Sequence, residues 1–118
     1  MARIGTIRVA FLAAAALGGC AGITAAGDPV LYQSLRESDV AVASRLMQST
    51  LENTPDGVTR RWSNAETGHE GAITPTRTYL STEGRFCREY REELALGDQT
   101  GFYFHTACRS DDERWVWL

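Results

Sequence analysis

The sequence predicts a small α+β domain in which an N-terminal helix packs on a four- to five-stranded antiparallel β-meander. Three observations predict it. An apolar stripe at helical spacing runs from Val40 to Leu51, period-two segments separated by turn formers fill the chain from Val58 onward, and the strand-like segments follow one another without intervening helices. The chain has 118 residues, which is room for one such domain and too little for two.

Taken in order, a helical reading begins at Val30, just after Pro29, and the main helix follows Ser38 and Asp39, both good N-cap residues. Val40, Ala43, Met47 and Leu51 recur at spacings of three and four, with Leu46 beside them, while Arg45, Gln48 and Glu52 take the other side. Asn53-Thr54-Pro55-Asp56-Gly57 then ends the helix with consecutive turn formers. A first strand covers about 58–64. The polar loop 65–71 leads to a second strand over 73–81, and Glu83-Gly84 turns the chain into a third over 86–96. Gly97-Asp98 has glycine first, as a type II′ turn requires, and leads to a fourth strand over 100–109. Residues 114–118 add a short fifth.

The first 28 residues carry a different signal. Arg3 and Arg8 precede an uncharged apolar run, Val9 to Leu17, that ends in small residues, which is the layout of a secretory signal peptide. The run falls short of the roughly 20 residues needed to cross a bilayer. Leu17-Gly18-Gly19-Cys20 resembles the bacterial lipobox. That resemblance implies cleavage before Cys20, a diacylglyceryl thioether on its sulfur and acylation of the new amino group. The membrane is then the first partner, with each acyl methylene contributing ~0.8 kcal/mol. By analogy with sorting rules, Ala21 in place of an aspartate favours the outer membrane. The expected division is therefore 1–19 signal peptide, 20–29 lipidated small-residue tether and 30–118 folded domain.

Charge removes one class of partner. Losing Arg3 and Arg8 takes the net charge from −3 to −5, every basic residue is arginine, and no basic block stands out, so nucleic acid is not an expected partner.

With Cys20 assigned to lipid, Cys87 and Cys108 remain, and an even pair in an exported chain reads as a disulfide. The predicted hairpin tests this. If Gly97-Asp98 is a two-residue turn, Leu96 faces Gln99, and stepping outward along both strands brings Cys87 opposite Cys108. Alternation from the hydrogen-bonded 96/99 pair makes 87/108 a non-hydrogen-bonded pair, with Cα atoms about 4.5 Å apart and within disulfide range. Closing a loop of this size stabilises the fold by roughly 3 kcal/mol.

Three motif blocks add a family. Trp62-Ser63-Asn64, Thr67-Gly68, Gly71 and Thr74 to Tyr79 form the first, Cys87-Arg88-Glu89-Tyr90 the second, and Ala107-Cys108-Arg109 with Trp115 the third. Over about residues 38–118 this series resembles the outer-membrane surface antigens of alphaproteobacteria, the seventeen-kilodalton type. The chain departs from that pattern in lacking a glycine-rich segment ahead of the domain and in having Asp111-Asp112-Glu113-Arg114 before Trp115. The resemblance implies an exported, lipid-anchored outer-membrane protein and does not imply an enzyme or a cofactor.

The sequence offers few groups for catalysis or metal binding. His69 and His105 are the two histidines, and no G-x-S-x-G elbow is present. His69 with Glu66 and Glu70 is a conceivable metal set, but three ligands so close in one irregular loop are rarely tetrahedral, and no metal is expected. Glu92 and Glu93 point to opposite faces of a regular strand. Trp115 and Trp117 share a face by the same period. Trp62, Arg77, Arg88, Tyr90, Arg109 and Trp115 make a candidate interaction surface. The duller account of the arginines is cross-strand pairing with Glu89, Glu92 and Glu93. The expected function is a non-enzymatic envelope role, structural or in interaction with an envelope protein or polymer. The alternative is a periplasmic ligand-binding or inhibitor module using the Arg/Trp-lined sheet face.

Overall fold

A computed structural model describes residues 29–118. The signal peptide, Cys20 and most of the tether lie outside these residues. Helix α1 spans Pro29–Gln33 and α2 spans Glu37–Asn53; the strands are β1 (Arg60–Ser63), β2 (Glu70–Leu80), β3 (Phe86–Leu96), β4 (Gln99–Arg109) and β5 (Trp115–Trp117). The strands form one antiparallel sheet in the order β1-β2-β3-β4-β5, with the helices on one face.

The β3–β4 hairpin follows the predicted register. Leu96 faces Gln99 and Cys87 faces Cys108, joined by a disulfide with Cα atoms 4.0 Å apart. Gly97 sits at φ 66°, which the first central position of the turn demands and glycine adopts without steric cost.

Helix α2 starts earlier than its cap residues suggested. Arg36 occupies the N-cap position, and Asp39 lies inside the first turn, accepting the Arg36 backbone N–H at 2.9 Å. The buried stripe rotates with it. Val40 is 48% exposed, and fully buried Asp39 takes the inward place above Ala43, Leu46 and Thr50. At the other end Thr54 bonds back to Thr50, and Pro55 stops the helix.

Period two divides the sheet into a covered and an open face. Trp62, Gly71, Ile73, Pro75, Arg88, Tyr90, Glu92, Leu94, Tyr103, His105, Ala107 and Trp115 face the helices. One core cluster joins Leu31, Trp62, Leu94, Leu96 and Tyr103, and a second joins Leu51, Ile73, Tyr90, Ala107 and Trp115; Leu46 packs against both.

Strand β2 begins three residues earlier than expected because Gly71 lies directly under the Trp62 indole. A Cβ there would stand 2.3 Å from Trp62 Nε1. Farther along, β2 bulges between Pro75 and Arg77, where proline has no N–H to give and its carbonyl accepts the Gly57 N–H at 2.7 Å. The short β5 is held by a side chain: the Gln48 amide accepts the Trp115 N–H at 2.8 Å and donates to the Trp115 carbonyl at 2.7 Å, as a neighbouring strand would.

Candidate functional site

The six residues read as a candidate surface do not share one exposed face. Trp62, Arg88, Tyr90 and Trp115 are buried beneath α2, and Arg77 lies on the opposite, open face. Arg109 is half-buried at the margin of α2.

Their partners explain the placement. Arg88 donates to the Leu51 carbonyl at 2.6 Å, to Thr78 Oγ1 at 2.9 Å and to Asp56 at 2.7 Å, so a single guanidinium caps the C-terminus of α2 and ties it to β2. The Arg88 hydrogen bond holds the Asp56 carboxyl below the usual carboxylate range. Arg109 grips Glu52 through Nε and Nη2 at 3.0 and 2.9 Å, and Glu52 also takes the Trp115 indole N–H at 2.8 Å. Those bonds, Arg109 first, depress the Glu52 carboxyl. Arg77 pairs with Glu89 at 3.4 Å and lies over the Tyr79 ring. Of the predicted cross-strand pairs only Arg77–Glu89 forms among these arginines, because the other two carboxylates come from α2 and the loop after it. An open groove of about 310 Å³ lies between Glu52, Phe86, Arg88, Arg109 and Trp115. An anion entering it would have to displace Asp56 and Glu52 from the guanidinium groups.

Two polar clusters escaped the sequence reading. In the first, Asp39 is fully buried and accepts four hydrogen bonds, from the Arg36 N–H (2.9 Å), Asn64 Nδ2 (2.8 Å), Thr67 Oγ1 (2.6 Å) and His69 Nδ1 (2.7 Å). Burial alone would raise this carboxyl, but hydrogen bonds from Thr67, Arg36, His69 and Asn64 together outweigh it and hold the group far below the ordinary value. The loop from Asn64 to His69 is shaped for the purpose. The Asn64 carbonyl accepts the Gly68 N–H at 2.7 Å, Asn64 Oδ1 accepts the Glu66 N–H at 3.1 Å, and Gly68 sits at φ 74°. His69 thus turns to Asp39 rather than to Glu66 and Glu70. Among the described residues no group of three His, Cys, Asp or Glu side chains is placed to hold a metal. The Asn64, Thr67 and Gly68 motif was the available signal for this clasp.

In the second cluster the Tyr32 hydroxyl donates to Glu92, and His105 Nε2 stands 2.7 Å from Tyr32 Oη and 3.0 Å from Glu92 Oε1. With Glu92 an acceptor and the tyrosine proton already committed, the hydrogen must sit on Nε2. Trp117 stacks on the His105 ring at 4.6 Å and donates its indole N–H to the Tyr90 hydroxyl. Burial first, and then Glu92, raises the Tyr32 hydroxyl well above its ordinary value; burial does the same to Tyr90. A largely apolar cavity of about 130 Å³ adjoins the cluster, lined by Tyr32, Leu35, Ala43, Met47, Glu92 and Trp117 among others. Glu93 is on the open face, so the adjacent carboxylates do not share a site.

Chemically, both clusters fasten helix to sheet, as Arg88 does. Asp39 locks the start of α2 to the β1–β2 loop, Tyr32 locks α1 to β3 and β4, and Arg88 locks the end of α2 to β2.

The chain is similar to surface antigens of rickettsiae. It is 35% identical over 79 residues to the 17 kDa surface antigen of Rickettsia felis, 34% to that of Rickettsia bellii and 33% to that of Rickettsia prowazekii, covering 67% of this chain and 50% of each relative. It therefore spans about half the length of these curated relatives. No solved structure matches it. Residues 49–116 match the family described as 17 kDa outer membrane surface antigen. That match takes in β1 to β4, most of β5 and the end of α2, with Arg88, both disulfide cysteines and the Asn64–His69 loop, and the chain belongs to the 17 kDa outer membrane surface antigen family.

Proposed function

We propose that this protein is a lipid-anchored, non-enzymatic outer-membrane protein whose folded domain serves a structural or interaction role in the envelope. Residues 1–19 direct export, Cys20 carries the lipid, residues 20–29 form the tether, and 30–118 are the working domain. The observation that carries this reading is where the chemically versatile side chains are spent. Asp39, His69, Glu92, His105 and Arg88 are all held in hydrogen bonds that fasten a helix to the sheet. The family description and the rickettsial relatives support an outer-membrane or surface location. Among the described residues no helix is long and apolar enough to cross a membrane. The rival reading, a ligand-binding or inhibitor module on an Arg/Trp face, is weakened by the burial of Trp62, Arg88, Tyr90 and Trp115.

Metabolic labelling with palmitate tests the anchor. The full chain incorporates label and fractionates with the outer membrane, and Cys20→Ala loses the label and leaves the membrane fraction. Undiminished labelling of Cys20→Ala overturns the reading.

A further inference from the structure

The four strand edges of this sheet differ in how they are protected. Free edges template pairing with another chain, and natural proteins blunt them with charge, proline, bulges or side-chain caps. Strand β1 is short and begins Arg60-Arg61. The part of β2 that runs past β1 carries Pro75, the bulge and Arg77, with Gly57 already on the Pro75 carbonyl. Strand β5 has the Gln48 amide on Trp115. Among the described residues, strand β4 has none of these devices from Thr100 to Phe104. The segment T-G-F-Y-F contains no charge and no proline, and it pairs with β3 without a bulge.

Backbone direction shows what this edge offers. Residues 99, 101 and 103 exchange hydrogen bonds with β3, so Thr100, Phe102 and Phe104 aim both backbone groups outward. The same alternation at Thr106 is visible in its carbonyl, which accepts the Leu118 N–H at 3.0 Å. Strand β5 pairs only with 107–109, so no strand of the described residues lies across from Thr100, Phe102 and Phe104. Their side chains emerge on the open face, with Phe102 37% and Phe104 70% exposed.

We propose that this edge pairs with the same edge of a second copy, antiparallel, about a two-fold axis through Phe102. The register is self-complementary. Phe102 meets its own copy and Thr100 meets Phe104 of the second chain, so every outward-pointing residue faces another and each pair exchanges two hydrogen bonds. A two-fold axis brings edge charges near their own copies, which is unfavourable, and this is the stretch with none. The two sheets become one, the α2 layers lie on the same side, and four phenylalanine rings cluster on the shared open face. The inference stands on backbone geometry and does not depend on the lipid anchor.

Photo-cross-linking in intact envelopes tests it, using the full chain with Phe102 replaced by benzoylphenylalanine. Irradiation yields an adduct of two copies of the chain, and adding Thr100→Pro, whose missing N–H would point outward, lowers its yield at least tenfold. In detergent, sedimentation of the full chain shows a concentration-dependent dimer. Phe102→Lys, a change at a solvated position that places like charges opposite each other, raises its dissociation constant at least tenfold. Adducts only to other proteins, a chain monomeric at every concentration, or a dimer indifferent to Phe102→Lys would each overturn the proposal. Palmitate labelling reports on the anchor alone, so the two ideas fail separately.

Discussion

Asp39 offers the sharpest test of how this domain is held together. Asp39→Asn keeps the size of the side chain but removes its charge and turns an amide NH₂ toward groups that are themselves donors. Four donors converge on the carboxylate at 2.6–2.9 Å. A hydrogen bond to a charged group contributes roughly 1.5–3 kcal/mol, but four bonds on one carboxylate are coupled and do not sum. Breaking one member of a buried ionic network costs about 3–5 kcal/mol, and we expect Asp39→Asn to lose about 3 kcal/mol and Asp39→Ala somewhat more. In a small domain with a total stability on the order of 5–15 kcal/mol, that brings the variant near its folding limit. Urea denaturation followed by tryptophan fluorescence measures it. The folded-state carboxyl titrates below its ordinary value of about 3.9. Its contribution is therefore complete above that pH and drains away as pH falls toward the folded-state value. The gap between wild type and Asp39→Asn thus narrows below about pH 4. A loss under about 1 kcal/mol at pH 7, the worth of one ordinary hydrogen bond, or a gap that widens in acid, would refute the reasoning.

Other expectations follow from the same contacts. Arg88→Lys should lose about 2 kcal/mol, because one ammonium cannot serve Leu51, Thr78 and Asp56 together; denaturation equal to wild type would contradict this. Gly71→Ala should cost about 2–3 kcal/mol by driving a methyl into the Trp62 indole. In a double-mutant cycle Trp62→Leu should restore at least ~1 kcal/mol of that loss, and strict additivity would argue against the contact. Replacing both Cys87 and Cys108 by alanine opens a loop of sequence separation 21 and should cost about 3 kcal/mol, readable as a lower urea midpoint.

The hairpin was legible because every determinant of its register is local. A glycine-led two-residue turn and two unbroken period-two strands leave one pairing, and both cysteines sit on it. The start of α2 was not legible, for the opposite reason. Ser38 and Asp39 look like caps within their own window, yet Asp39 is claimed by Asn64, Thr67 and His69, about 25–30 residues away, and those bonds turn the helix until Val40 faces water. His105 and Glu92 lie on the covered face by simple alternation, but their partner Tyr32 is 60 residues before Glu92 in a one-turn helix that periodicity cannot detect. Strand β2 starts early through one contact, Trp62 on Gly71, which a composition-based reading takes for loop.

Many of the residues that made the family recognisable join, in the folded chain, its layers or its neighbouring strands. Trp62 needs Gly71; Asn64 and Thr67 hold Asp39; Arg88 and Tyr90 lie beneath α2; Cys87 and Cys108 bridge β3 and β4. Such a set specifies an architecture, because loss of any one leaves a cavity or an unpaired buried group. It does not specify a partner. A scaffold motif and a recognition motif make opposite demands on solvent exposure, so what distinguishes this chain functionally has to be carried by side chains its core does not use. On the covered face few remain. On the open face Val116 stands in water, and so do Phe102 and Phe104 beside Arg91, whose guanidinium lies over the Phe102 ring. Exposing aromatic rings on an unprotected edge invites association, and the Asp39, Tyr32 and Arg88 clasps that fasten helix to sheet hold the domain against that exposure.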